Sequence, residues 1–160
     1  MSNRMVDLFV LDMLISIDRI NRASEELSDG GALWQDEFLC GSILRDMAII
    51  GEALNRVLRA QDLAMHFKPY WRDIVGFRNI VIHEYFGLSY DEVYRIIKED
   101  LPLFENDILS LLRYLWKEES MQQAFAEALN DLYAMRRTES VAYLTHLKET
   151  LDKKQQERPI

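Results

Sequence analysis

Cysteine is almost missing from this chain. Cys40 is the only one in 160 residues, which excludes an internal disulfide and a CxxC zinc knuckle, so packing has to hold the fold together. No apolar run approaches the roughly 20 residues that cross a bilayer. Near the start, Asp7, Asp12 and Asp18 interrupt the apolar positions before a signal-peptide core could form. The expectation is an intracellular, cytoplasmic protein without a membrane segment. Positive charge is also in short supply: 19 basic against 27 acidic residues give a net charge of −8, which argues against a chain that coats nucleic acid through bulk electrostatics. There is no HExxH, P-loop or GxGxxG pattern and no acidic cluster at metal-ligand spacing, so no metal and no cofactor is expected.

What is present is helical periodicity. Three prolines and six glycines punctuate the chain, and the segments between them repeat apolar residues every three or four positions. The fold class read from this is all-α. A first helix is predicted from about Met5 to Glu26, with Leu8, Leu11, Ile15 and Ile20 inward and Asp7, Asp12, Asp18 and Arg19 largely outward, ended by Gly30-Gly31. A second is predicted from Trp34 to Arg59, with Gly51 in its middle where a neighbour could approach closely. Pro69 precedes a third, from Trp71 to Ile82. Ser89 and Glu92 form a capping-box pattern that starts a fourth near Tyr90, which Pro102 kinks or splits before Leu103–Trp116. Two more helices follow, separated near Arg136-Arg137-Thr138.

Chemistry concentrates in WRDIVGFRNIVIHEYFG, residues 71–87, where Arg78, His83 and Tyr85 close an otherwise apolar helix. It lies in a local basic island: between Arg56 and Glu84, five basic residues face three acidic ones. An arginine holds phosphate through bidentate hydrogen bonds, and a histidine moves protons near neutral pH. Together they suit cleavage of RNA, whose 2′-hydroxyl is a built-in nucleophile needing a base, a cation and a proton donor but no metal. Five residues turn an ideal helix by about 500°, leaving Arg78 and His83 about 140° apart. If both serve one reaction, either the helix end rearranges or a second copy completes the site across a twofold axis. Asn79 and His83, four apart, are within reach of each other.

From Met5 to Trp116 the chain resembles a HepT-type toxin of the HEPN superfamily. The resemblance rests on LDMLISIDRI, on ILRDMAIIGEALNRV, and above all on Arg78-Asn-Ile-Val-Ile-His83-Glu-Tyr85, a gapless R-x4-H-x-Y motif followed by LSYDEVYRIIKEDLP. It implies an antiparallel helical bundle over residues 1–117, with residues 118–160 as an added C-terminal helical extension. It also implies a metal-independent endoribonuclease toxin working as a homodimer or higher oligomer, with Arg78 and His83 of both protomers lining one cleft and Asn79 positioning substrate or histidine. Its partner would be a minimal nucleotidyltransferase antitoxin that silences it by adding AMP to Tyr85. The acidic net charge favours a defined folded RNA such as tRNA as substrate.

Other residues carry weaker readings. Glu52 is either a partner of the active-site arginine or a structural glutamate. Arg45, one position from Asp46, is read as solvated, and His66 and His146 as surface residues. Trp71 and Phe77 are expected in the core, and Cys40 as a small buried filler. The extension is read as structural cover, or, from Arg136, Arg137 and Lys148, as an element that shapes RNA access or docks the antitoxin. The rival for the whole chain is a noncatalytic module that presents substrate to, or regulates, a nucleotidyltransferase.

Overall fold

The computed structural model describes residues 3–83 and 87–157, with residues 3 and 4 described by backbone alone. Tyr85 lies outside the described residues. Among the described residues the chain is all-α, with no strand: α1 (Asn3–Ala23), α2 (Gly30–Gln35), α3 (Glu37–Val57), α4 (Trp71–His83), α5 (Tyr90–Arg95), α6 (Leu101–Leu115), α7 (Glu119–Ala134) and α8 (Thr138–Gln156). A 3₁₀ turn (Gln61–His66) precedes α4 and a π turn (Ile96–Asp100) joins α5 to α6.

The central element is α1. Val10, Leu11, Met13, Leu14, Ile17 and Ile20 are fully buried, because α3 covers one side of the helix and α6, α7 and α8 cover the rest. Each such side chain contributes about 1.5–3 kcal/mol relative to an exposed one, so α1 supplies a large share of the apolar stabilisation. The expected outward face of this helix needs correction: Asp7 is buried and hydrogen-bonded to Ser120 of α7. Two-sided covering by the C-terminal helices is what a single amphipathic stripe does not reveal. Burial pushes the Asp7 carboxyl above its ordinary value, with Glu118 and Asp62 adding to the effect and Ser120 opposing it.

Helix boundaries follow side-chain caps. The first helix stops at Ala23, short of Glu26, and Gly30-Gly31 open α2 instead of closing α1. Asp29 makes the difference, its carboxylate accepting the Ala32 amide at 2.8 Å. A Cβ on Gly30 would lie 2.6 Å from the Asp91 amide nitrogen, so this position must be glycine for α2 to meet the start of α5. The expected single helix from Trp34 is broken at Asp36, which caps α3 by accepting the Leu39 amide at 2.9 Å. Ser89 caps α5 through the Glu92 amide at 3.3 Å, but the Glu92 carboxylate goes to Arg95 at 2.7 Å instead of completing the capping box. At Pro102 the chain stays helical. The π turn just before it relieves the missing amide and the clash with the carbonyl four residues back.

Trp71 anchors the start of α4. It is fully buried, tilted against Phe67 at 5.7 Å and edge-on to Phe104 of α6 at 6.0 Å between ring centroids. Phe77, expected in the core, is only half-buried. At the other end of the chain Trp116 sits edge-on to Phe125 at 5.1 Å and donates its indole N–H to Asp152 at 3.1 Å, fastening α8 to the end of α6. The break between α7 and α8 falls where expected, at Arg136, whose φ of 55° is left-handed. The amides of Arg136 and Arg137 turn back to the carbonyls of Tyr133 and Leu132, both at 3.0 Å, in a Schellman closure.

The crossing of α4 on α3 is close. A Cβ built on Gly51 would stand 2.3 Å from Cβ of Arg78 and 2.9 Å from its Cγ, so α4 seats only because position 51 has no side chain. Gly51→Ala is expected to lower stability by about 1–2 kcal/mol in thermal or urea unfolding, because overpacking of about 1–3 kcal/mol exceeds the roughly 1 kcal/mol that alanine gains as a helix former. A second expectation concerns Asp7. With its folded pKa raised, the ionised carboxylate weighs against the fold above that pKa, and the effect fades as the pH falls toward the unfolded value. Asp7→Asn should therefore be more stable than the parent at pH 7, with the difference shrinking as unfolding is repeated toward pH 4.

Candidate functional site

The candidate residues are set out along α4. Trp71 and Val81 turn one side of the helix into the core, which leaves Asn79, Ile80, Ile82 and His83 exposed and Arg78 half-buried at the contact with α3. Because Gly51 admits the Arg78 stem, its guanidinium arrives beside the next residue of α3, Glu52. Arg78 Nη2 donates to Glu52 Oε2 at 2.7 Å, and Arg78 Nη1 donates to Asn79 Oδ1 at 2.8 Å. Arg78 Nε is buried and finds no partner among the described residues. Each terminal nitrogen thus uses one of its two N–H groups within the chain, the third nitrogen is enclosed, and the side chain stays 28% exposed.

Glu52 serves a second arginine. Its Oε1 accepts Arg56 Nε at 3.0 Å, one helical turn along α3, so two guanidinium groups flank one carboxylate and leave one positive charge in excess. The partly exposed Arg78–Glu52 pair adds at most about 1 kcal/mol to stability. Its effect is on position: it holds the guanidinium in one place.

His83 ends α4, exposed and without a hydrogen bond to any described residue. The helix is regular from Arg78 to His83, so the two side chains leave it about 140° apart and about 7.5 Å along its axis. No hydrogen bond or ion pair brings them together within one chain. Asn79 turns to Arg78 and not to His83. Of the motif expected from the sequence, Arg78 and Asn79 are thus coupled, His83 stands free at the helix end among the described residues, and Tyr85 lies outside them.

Of the residues with weaker readings, Glu52 proves to be the anchor of Arg78. Arg56 had been visible only as one member of the basic island; the Glu52-x3-Arg56 spacing was the signal that could have linked it to the site. His66 is not a plain surface residue, since its ring lies 4.3 Å from that of Tyr114. His146 is exposed. Cys40 is buried, and burial pushes its thiol up, away from reactivity, with Asp36 adding to this and a hydrogen bond with Tyr90 opposing it. The basic residues of the extension, Arg136, Arg137 and Lys148, are exposed, and Lys148 pairs with Asp152 on the surface of α8. Among the described residues, no three His, Cys, Asp or Glu side chains form a group able to hold a metal, and no helix is long and apolar enough to cross a membrane.

Between α4 and α6 runs an open, mainly apolar groove of about 1010 Å³, lined by Ile74, Phe77 and Ile80 of α4 and by Leu103 and Phe104 of α6; neither Arg78 nor Arg56 lines it. Ile80, Ile82 and Leu103 are 41%, 47% and 64% exposed, so the outer face of α4 and its rim carry apolar surface next to polar candidates.

Comparison with known proteins falls on this same region. The family described as Ribonuclease HepT-like matches residues 13–111, which take in Gly51, Glu52, Arg56 and all of α4, and stop before α7. A protein of Methanocaldococcus jannaschii, provisionally named an RNase, is 31% identical over 109 residues, 68% of this chain and 97% of the relative. A second provisionally named RNase, from Caldanaerobacter subterraneus, is 33% identical over 79 residues, 49% of this chain and 70% of its own. A protein of Thermococcus cleftensis provisionally named ribonuclease HepT is 32% identical over 73 residues, 42% of this chain and 64% of that one. No solved structure gives a significant match. With a family match that runs through α3, α4 and most of α6, and a relative alike along nearly its whole length, the chain belongs to the HepT-like ribonuclease family of the HEPN superfamily.

Proposed function

We propose that the protein is a metal-independent endoribonuclease whose reaction centre is built from Arg78 and His83 of two protomers. The observation that carries this reading is the arrangement on α4: a guanidinium held half-buried between Glu52 and Asn79, and an exposed imidazole at the end of the same helix, inside a gapless R-x4-H-x-Y motif. Arg78 would bind the scissile phosphate and stabilise the charge of the phosphorane. One His83 would take the proton of the ribose 2′-hydroxyl as that oxygen attacks phosphorus, while a second protonates the departing 5′-oxygen. A 2′,3′-cyclic phosphate and a 5′-hydroxyl would result.

The second protomer follows from geometry. Arg78 and His83 of one chain diverge, and exposed Ile80 and Ile82 lie between them on α4. Covering that apolar surface with a twofold-related copy would bring a second arginine and a second histidine into the same cleft. In this reading the chain is the toxin of a two-component pair acting in the cytoplasm, with a folded RNA such as tRNA as target. A minimal nucleotidyltransferase would be its antitoxin, adding AMP to Tyr85. An anion added to a chain that binds RNA phosphates would repel and block RNA.

RNA cleavage measured in EDTA is expected to persist in the wild type and to fall by about 10²-fold or more in Arg78→Ala and in His83→Ala. Mixing these two inactive proteins under conditions of subunit exchange should recover part of the activity, since each mixed dimer keeps one arginine and one histidine. Full activity in either single variant would end the catalytic assignment, and full activity of the wild type at concentrations where it is monomeric would end the shared cleft. Intact mass after co-expression with a minimal nucleotidyltransferase, if one is encoded beside this chain, should rise by AMP units, and the rise should vanish in Tyr85→Phe.

A further inference from the structure

The proposed reaction uses Arg78 and His83 and leaves Arg56 without a task. Arg56 is held through one nitrogen only, Nε, by Glu52 Oε1 at 3.0 Å. Its two terminal nitrogens have no hydrogen-bond partner among the described residues, and its side chain is 45% exposed. Glu52 Oε2 holds Arg78 at 2.7 Å, so a single carboxylate fixes both guanidinium groups no more than about 8 Å apart. This upper bound accommodates the step between neighbouring phosphates of an RNA strand, roughly 6 Å. Three further features suit a polyanion. The charge of Glu52 cannot neutralise both arginines, the open edge of Arg56 is the forked edge that matches phosphate oxygens, and fixing Arg56 from behind reduces the entropy lost on binding.

We propose that Arg56 forms a second phosphate subsite, which takes the phosphate next to the one bound by Arg78, with Glu52 as the shared spacer. This rests on the ribonuclease reading and deepens it: the substrate is a strand with at least two consecutive phosphates across the α3–α4 contact, and a substrate with a single linkage misses part of the binding energy. A buttressing role is the competing explanation, in which Arg56 serves only to hold Glu52 in place.

The test compares an oligoribonucleotide that the wild type cleaves with the dinucleoside monophosphate spanning the same linkage. In the wild type, kcat/KM should favour the longer substrate. In Arg56→Gln that preference should fall by about tenfold, mainly through KM, as expected for the loss of one charge-assisted hydrogen-bonded contact. Binding of a 2′-O-methyl oligonucleotide, which cannot be cut, should show a salt slope shallower by about 0.7 in Arg56→Gln. Arg56→Lys, which keeps the charge, should retain the wild-type slope. An unchanged preference together with an unchanged slope, or an equal loss on both substrates, would overturn the subsite in favour of the buttress. If the wild type cleaves neither substrate, the nuclease reading fails separately, and the binding slopes still decide whether Arg56 holds a phosphate.

Discussion

The missing side chain at Gly51 is the constraint on which the site depends. Arg78 fills with its stem the space where a Cβ would stand, and this sets both how closely α4 approaches α3 and which residue the guanidinium meets. The adjacent positions 51 and 52 divide the work: one provides room, the other a counter-charge. The energies explain the division. A partly exposed ion pair adds at most about 1 kcal/mol, and a guanidinium–phosphate contact of about 1.5–3 kcal/mol exceeds it, so Glu52 can hold Arg78 in readiness without keeping it from an anion.

Around that contact the fold keeps two jobs apart. α1 is wrapped by α3 on one side and by α6, α7 and α8 on the others, and this packing carries the apolar core. α4 packs on α3 and keeps its outer face open, with Asn79, Ile80, Ile82 and His83 exposed. The helices beyond residue 111, where the family match ends, join the same core through Met121, Phe125, Leu132, Leu144 and Leu151. Their basic residues stay on the surface: Arg136, Arg137 and Lys148 are exposed, and Lys148 pairs with Asp152 one helical turn along α8.

Much of this was legible in the sequence. Apolar spacing reveals the long helices, Gly51 marks the close crossing, and the motif singles out Arg78 and His83 as candidates. What escaped depended on choices between alternatives that are equivalent in the linear pattern. Gly30-Gly31 suits the end of one helix as well as the start of another, and the Asp29 carboxylate decides for the start. Asp7 shares its spacing with outward-facing residues, and only the return of α7 buries it. Asn79 stood within reach of both Arg78 and His83, and its carbonyl went to the stronger, charged donor. Arg56 was one basic residue among several until the shared carboxylate set it beside Arg78.

Arg136 takes a left-handed backbone that glycine would adopt more easily, at a cost of roughly 1–2 kcal/mol. α7 has no basic residue in its last turn. Its final carbonyls carry the negative pole of the helix dipole, and Arg136 and Arg137 follow directly with two cations. An arginine at this corner therefore exchanges backbone comfort for a charge where the peptide dipoles favour one, and the dipole contact, about 0.3–1 kcal/mol at an exposed helix end, offsets part of that cost.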